Sequence, residues 1–170
     1  FIFLGKIVEQ ITGKTLDQYV ADNFYKPMGM VSTGFKPRDR FSADRMVPTE
    51  TEKWFRRQTM QGDVHDEGAS LFGGVAGHAG LFSDAYDLAL LYQMLLNGGA
   101  FNGKRYLEEE TVKLFTAYHS PVSRRGYGFD KPEKDNKIRK DPYPASKVSL
   151  ETFGHTGFTG TCVWVDPKSN

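Results

Sequence analysis

Eighteen glycines are spread unevenly along these 170 residues, and two of their clusters limit the fold more than any other feature. "LFGGVAGHAGLF" at 71–82 holds four glycines in twelve residues, and "GHTGFTG" at 154–160 holds three in seven. Glycine loses more backbone entropy on ordering than any other residue, so neither stretch suits a helix interior or a long strand. Each cluster also carries a histidine, His78 in the first and His155 in the second. Turns that hold a titratable ring are therefore fixed points around which the regular segments must fit.

The helical segments lie mostly before the second cluster. Ile2, Phe3, Leu4, Ile7, Val8 and Ile11 recur at helical spacing, and Gly13 sits where a helix ends in the left-handed region. Thr15 and Gln18 fit a capping box for a second helix to about Phe24, broken by Pro27 and Gly29. From 31 to 63 there is no sustained period, with at most a short helix around Trp54. Ser83 is placed to cap a helix whose buried stripe is Leu88, Leu91, Tyr92 and Leu95, and "NGG" at 97–99 stops it. "EEETVKLFTAYH" at 108–119 predicts another helix with an acidic start. "GYGFD" at 126–130 and "TCVWV" at 161–165 read as strands. Helices first and strands last predict an α+β fold, its antiparallel sheet flanked by helices.

Composition excludes several function classes. Lysine and arginine number 22 against 21 acidic residues, which gives no electrostatic reason to expect nucleic acid or an anionic membrane as partner. No apolar run approaches the roughly 18 residues of a membrane span. The charge run "KPEKDNKIRKD" at 131–141 mixes both signs and predicts a solvated loop. Cys162, the lone cysteine, leaves no disulfide framework and reads as a small buried hydrophobe; Trp54 and Trp164 read as core or cleft wall. The chain opens directly on a helix and closes on an Asp166-Pro167 turn with no returning strand, so both ends read as interior to a longer protein.

The search for catalytic chemistry is uneven. Ser-x-x-Lys, which sets an amine one helical turn from a hydroxyl, is absent; Ser42-x-x-Arg45 comes closest, and arginine is no base near neutral pH. Gly-x-Ser-x-Gly is absent too, so no nucleophile is recognisable. "HTGFTG" has two open readings. One is a glycine-rich turn with a surface histidine. The other is a docking edge: missing side chains at Gly157 and Gly160 admit a substrate, the N–H of Phe158 donates to an oxyanion, and His155 and Thr156 bind a carboxylate or relay a proton. His65, Asp66 and His78 match no standard metal-ligand spacing; a loop lining a substrate cleft, with His65 or Asp66 in structural hydrogen bonds, fits them better. No metal or cofactor is expected. His119, at a helix end, complements the dipole.

Three segments in order carry a family resemblance. "GKIVEQITGKTLDQYVADNFYKPMGMVSTGF", "GGVAGHAGLFSDAYDLALLYQMLLNGG" and "YGFD" with "GHTGFTGTCVWVDP" resemble the C-terminal half of serine β-lactamase-related hydrolases. That group holds class C β-lactamases, D-alanyl-D-alanine carboxypeptidases and β-lactamase-fold esterases. The resemblance implies a β-lactamase/transpeptidase-like fold across residues 1–170, present as a C-terminal part without its final strand and helix. It implies acyl-enzyme chemistry on an ester, amide or D-Ala-type peptide. Of the family's three motifs only the Lys/His-Thr/Ser-Gly strand maps here, onto His155-Thr156-Gly157, with Phe158 at the oxyanion-donor position and Thr159 and Gly160 beside it. The serine and the tyrosine base would lie before Phe1. His155 in place of lysine makes the cation pH-dependent and disfavours β-lactamase activity. "VHDEGASLFGGVAGH" also resembles a branch fused to a family 3 glycoside hydrolase. The competing expectation is a non-catalytic module on the same fold that binds cell-wall peptide or glycan. By resemblance the protein works in the periplasm or is otherwise exported. The apolar stripe Ile2–Ile11 would then associate with the remaining N-terminal part or with itself.

Overall fold

A computed structural model describes residues 1–169. The chain divides into two units, Phe1–Leu90 and Leu91–Asn170. The regular structure is mixed helix and sheet, and among the described residues the strands form three separate two-stranded antiparallel pairs.

In the first unit, helix α1 (Ile2–Thr12) closes on Gly13 at φ 66°, where the amide reaches back to the Glu9 carbonyl. The expected cap at Thr15 is not made by its side chain. Instead the carboxylate of Glu9 accepts from the Leu16 amide at 3.1 Å, so the first helix caps the second, α2 (Leu16–Val20). Pro27 does not stop this helix where the sequence suggests. A five-residue π turn, Ala21–Tyr25, widens the coil just before the residue that lacks an N–H, and α3 (Lys26–Met28) completes it. The apolar stripe of α1 faces outward, with Phe3 82% and Ile11 78% exposed. Its one buried residue is Gly5, against which the backbone of Gly77 packs; a side chain on Gly77 would collide with the Phe1 carbonyl.

The stretch from 31 to 63 contains no helix at Trp54. It forms 3-10 turns at Pro37–Asp39 and Ala43–Arg45 and a short hairpin of β1 (Glu50–Thr51) and β2 (Thr59–Met60). Between the strands the chain wraps around its own carboxylate. Glu52 accepts from the amides of Trp54 (2.5 Å), Phe55 (2.6 Å), Arg57 (3.3 Å) and Arg56. These amides, that of Arg56 foremost, hold the Glu52 carboxyl down at about 2. Wrapping turns Trp54 out to 88% exposure, so it is not core. The core here is methionine: Met28, Met30, Met46 and Met60 are buried, flexible thioethers filling space that irregular backbone leaves.

Helix α4 (Glu67–Leu71) precedes the first glycine cluster, and α5 (Ala85–Leu96) follows it. Asp84, one residue beyond the expected Ser83, caps α5 by accepting from the Asp87 amide at 2.8 Å. Ser83 pairs with the Thr33 hydroxyl at 2.7 Å instead. Leu88, Leu91, Tyr92 and Leu95 are half-buried, and Met94 is the apolar residue most deeply buried on this helix.

The second unit holds the hairpin of β3 (Ala100–Phe101) and β4 (Lys104–Arg105), turned by Asn102-Gly103. Helix α6 (Glu109–Thr116) begins on acidic residues as expected. His119 donates to the Leu114 carbonyl at 2.6 Å and stacks on Tyr127 at 3.8 Å. "GYGFD" is not a strand. Gly128 lies at φ 88°, the Gly126 amide bonds back to the Phe129 carbonyl, and only Asp130 makes a bridge, to Gly154. Nor is 131–141 solvated throughout: Lys131 and Asn136 are 2% and 3% exposed. The Lys131 ammonium donates to the Thr152 carbonyl at 3.0 Å and lies over the Tyr118 ring. Burial pushes its pKa down to about 8. The strand expected at 161–165 is found as β6 (Cys162–Val165), paired in a hairpin with β5 (Phe153–Thr156), and its Cys162 is exposed rather than buried.

Candidate active site

The β5–β6 hairpin presents the residues singled out in the sequence. Its register pairs Gly154 with Trp164, His155 with Val163 and Thr156 with Cys162. Gly154 is buried, and a Cβ there would strike the Val163 carbonyl oxygen. Its main chain also bonds Asp130 both ways, at 2.8 and 3.0 Å. Alternate residues of a strand point their main-chain groups to one edge, so Thr156 is the next position on the edge Asp130 occupies.

Residues 157–161 close the hairpin. The Gly157 amide donates to the Thr161 carbonyl at 2.6 Å, the Gly160 amide to the Gly157 carbonyl at 3.1 Å, and Gly160 takes φ 88°. The turn thus requires glycine at 160, while a Cβ at Gly157 would meet the Thr161 hydroxyl. Phe158 and Thr159 lie at its exposed tip, the Phe158 side chain 94% exposed.

His155 and Thr156 are exposed, yet the His155 ring is held at both nitrogens. The Arg125 guanidinium donates to Nε2 of His155 at 2.7 Å, while Nδ1 sits 2.6 Å from the Thr156 carbonyl. A donor aimed at Nε2 requires a lone pair there, so the pair of contacts selects the Nδ1–H neutral ring. The Thr156 hydroxyl lies beside that of Tyr143 and lowers its pKa. Tyr143 in turn donates to Asp130 Oδ2 at 2.8 Å and packs edge-on against Trp164 at 5.4 Å.

Asp130, 1% exposed, is the hub. Arg124 grips both its oxygens, Nε to Oδ1 at 2.7 Å and Nη2 to Oδ2 at 3.1 Å, and Arg125 Nη2 lies 3.8 Å from Oδ2. Burial opposes ionisation of Asp130, but Arg124, Tyr143 and the Lys131 amide outweigh it and hold the carboxyl below its ordinary value. Arg124 is correspondingly held charged, chiefly by its bond to Asp130. For Tyr143 burial comes first and the Asp130 hydrogen bond second, and both raise its pKa. Sequence reading missed Arg124, Arg125, Asp130 and Tyr143. The available signal was an acid ending a glycine-rich "GYGFD" directly after a double arginine.

His65 and Asp66 lie in the first unit, and their bonds there are local. His65 Nε2 donates to Glu50 at 2.6 Å. Asp66 caps α4, accepting from the Ala69 amide at 2.7 Å, and also accepts from His78 Nε2 at 2.9 Å. The Ala69 amide first, and His78 after it, hold its carboxyl below the usual range against the desolvation of the site. A cavity of about 240 Å³ in this unit is lined by Lys36, Arg38, Asp63, Ser70, Gly74 and Phe82 among others, and by neither His65 nor Asp66. Among the described residues no three His, Cys, Asp or Glu side chains gather as a metal site. No helix there is long and apolar enough to cross a membrane.

Comparison with known proteins places these features in a family. The chain is 37% identical over 182 residues to a "Putative D-alanyl-D-alanine carboxypeptidase" of Escherichia coli (strain K12) and 36% identical to one of Salmonella enteritidis. All of this chain aligns in each case, and it spans 41% of the length of these relatives. Among solved structures, a beta-lactamase from Mycobacterium bovis superposes with a TM-score of 0.62 at 19% identity, over 99% of this chain and 50% of the other. A penicillin-binding protein homologue from Caulobacter crescentus gives 0.62 at 21%, over 96% and 46%. The fold is that of beta-lactamases and transpeptidases. The family model described as "Beta-lactamase" matches from residue 1 to residue 170, glycine clusters and His-Thr-Gly strand included, and the chain belongs to that family.

Proposed function

We propose that this chain supplies the His-Thr-Gly strand of a longer serine hydrolase that works through an acyl-enzyme on a D-Ala-type peptide, or on a related ester or amide. The observation that carries the proposal is the hold on His155: an exposed ring fixed by Arg125 behind it, in the strand residue next to Thr156. A surface turn needs no such fixing, whereas a site that must meet a substrate in one geometry does.

In this reading the nucleophilic serine and tyrosine base come from the part of the relatives' length that the chain does not span. Thr156 and the neutral His155 ring orient the substrate, and the main chain at Phe158 donates to the oxyanion. Arg125 stands beside the His155 ring and is 47% exposed in its side chain. It contributes the permanent positive charge that a lysine in the motif would have given, which suits a substrate with a terminal carboxylate. Gly157, Thr159 and Gly160 shape the turn past which the substrate lies. His65 and Asp66 are engaged by Glu50 and by the Ala69 amide. The protein acts outside the cytoplasmic membrane, where such peptides occur.

Covalent labelling tests this. The longer protein should take up a labelled penicillin or fluorophosphonate at one serine, the 170-residue chain alone should not, and fractionation should find the protein exported. A longer protein that stays unlabelled and hydrolyses neither esters nor D-Ala peptides would instead be a cell-wall binding module.

A further inference from the structure

We infer that Asp130 is a positioning residue for the His-Thr-Gly strand, one buried carboxylate anchoring the two arms that fix His155 and Thr156. The inference rests on the reading of that strand as part of an acyl-transfer site, and it adds what sets the strand's geometry. One arm runs from Asp130 Oδ2 through Tyr143, whose hydroxyl donates to that oxygen at 2.8 Å and has the Thr156 hydroxyl as its neighbour. The other runs through Arg125, with Nη2 3.8 Å from the same oxygen and Nη1 2.7 Å from His155 Nε2.

The carboxylate is itself over-determined. Arg124 holds both oxygens, and the Lys131 amide adds a bond at 3.0 Å. Its main chain is tied to Gly154, one residue before His155. Arg124 also lies over the Tyr143 ring at 4.3 Å, which stiffens the first arm. Asp130 is therefore fixed relative to β5. Buried polar networks of this kind select one geometry only when every member is satisfied. Each acceptor position of Asp130 here faces a donor.

A second consequence concerns the ring. Arginine has no acceptor, so as long as Arg125 is aimed by Asp130 the proton of neutral His155 is excluded from Nε2. Asp130 thereby selects the tautomer of a side chain it does not touch.

The test uses the longer protein with ¹⁵N-labelled histidine. Arg125→Ala should turn the single Nδ1–H form of His155 into a tautomer mixture while leaving Thr156 fixed. Tyr143→Phe should free the Thr156 hydroxyl and leave the ring alone, and Asp130→Asn should do both. Asp130→Asn should also lower kcat for a D-Ala peptide roughly tenfold with KM within about twofold. Asp135→Asn, an exposed acid paired with Arg139, should change none of these. If Asp130→Asn leaves both side chains fixed, or Arg125→Ala loosens Thr156 as much as His155, the inference is overturned. The Arg125 and Tyr143 variants decide the matter even if Asp130→Asn fails to fold. Should the spectroscopic pattern hold while turnover is unchanged, the positioning stands and the acyl-transfer reading falls.

Discussion

Two histidine-bearing stretches look alike in sequence and differ in kind. "VHDEGAS" and "GHTGFTG" each set a histidine beside a small polar residue and glycine. In the first, Asp66 accepts from the α4 amide of Ala69 and from His78, while His65 bonds Glu50; these partners lie within sixteen residues. In the second, the partners come from far along the chain, Arg125 thirty residues before His155 and Asp130 twenty-four before Gly154. Nearby partners hold a turn or a helix end together. Distant ones fix the direction of an exposed side chain, which the turn does not need for its own sake.

The sharpest way to break this contrast is to remove the hub. Asp130→Ala leaves Arg124 without its bidentate partner, and urea unfolding should show a loss of about 3–5 kcal/mol. A loss within about 0.5 kcal/mol would make the network decorative. Next, His155→Ala in the longer protein should cut kcat/KM for a D-Ala peptide about 10²-fold, while His65→Ala should stay within about twofold. Equal losses would erase the distinction between the two stretches.

A smaller effect follows from Lys131. Its folded pKa is lowered to about 8 by burial, against the ordinary 10.5, so above pH 8 the unfolded chain binds more protons than the folded one. This group's contribution makes stability rise from about pH 8 to 10.5, and Lys131→Met should lack that rise. Urea titrations of both proteins at the two pH values read the difference. Smallest is Asp66→Ala, which removes the α4 cap and should cost about 1 kcal/mol of stability with turnover unchanged.

What could be read from the sequence was decided by distance along the chain. Helix α1 with its Gly13 end, the stop of α5 at "NGG", the acidic start of α6 and strand β6 depend on residues within a few positions of each other. The failures are of two physical kinds. At Trp54 and Thr15 a carboxylate out-competed the expected pattern: Glu52 drew four amides around itself, and Glu9 reached from the previous helix to cap the next. At 126–136 the failure was tertiary. A charge run reads as solvated unless Thr152 and Tyr118 are known to lie over Lys131, and "GYGFD" reads as a strand unless its turn against α6 is seen. The His-Thr-Gly strand itself was legible, whereas Arg125, Asp130 and Tyr143 were not, because nothing in local spacing joins them.

The exposure of Cys162 has a practical side. Strand register sets this thiol directly across from Thr156, and no other cysteine exists in the chain to compete with it. A small environment-sensitive dye attached there would sit about 5 Å of backbone away from the threonine. Its fluorescence would report arrival of a peptide at that margin, even for a ligand that is never turned over.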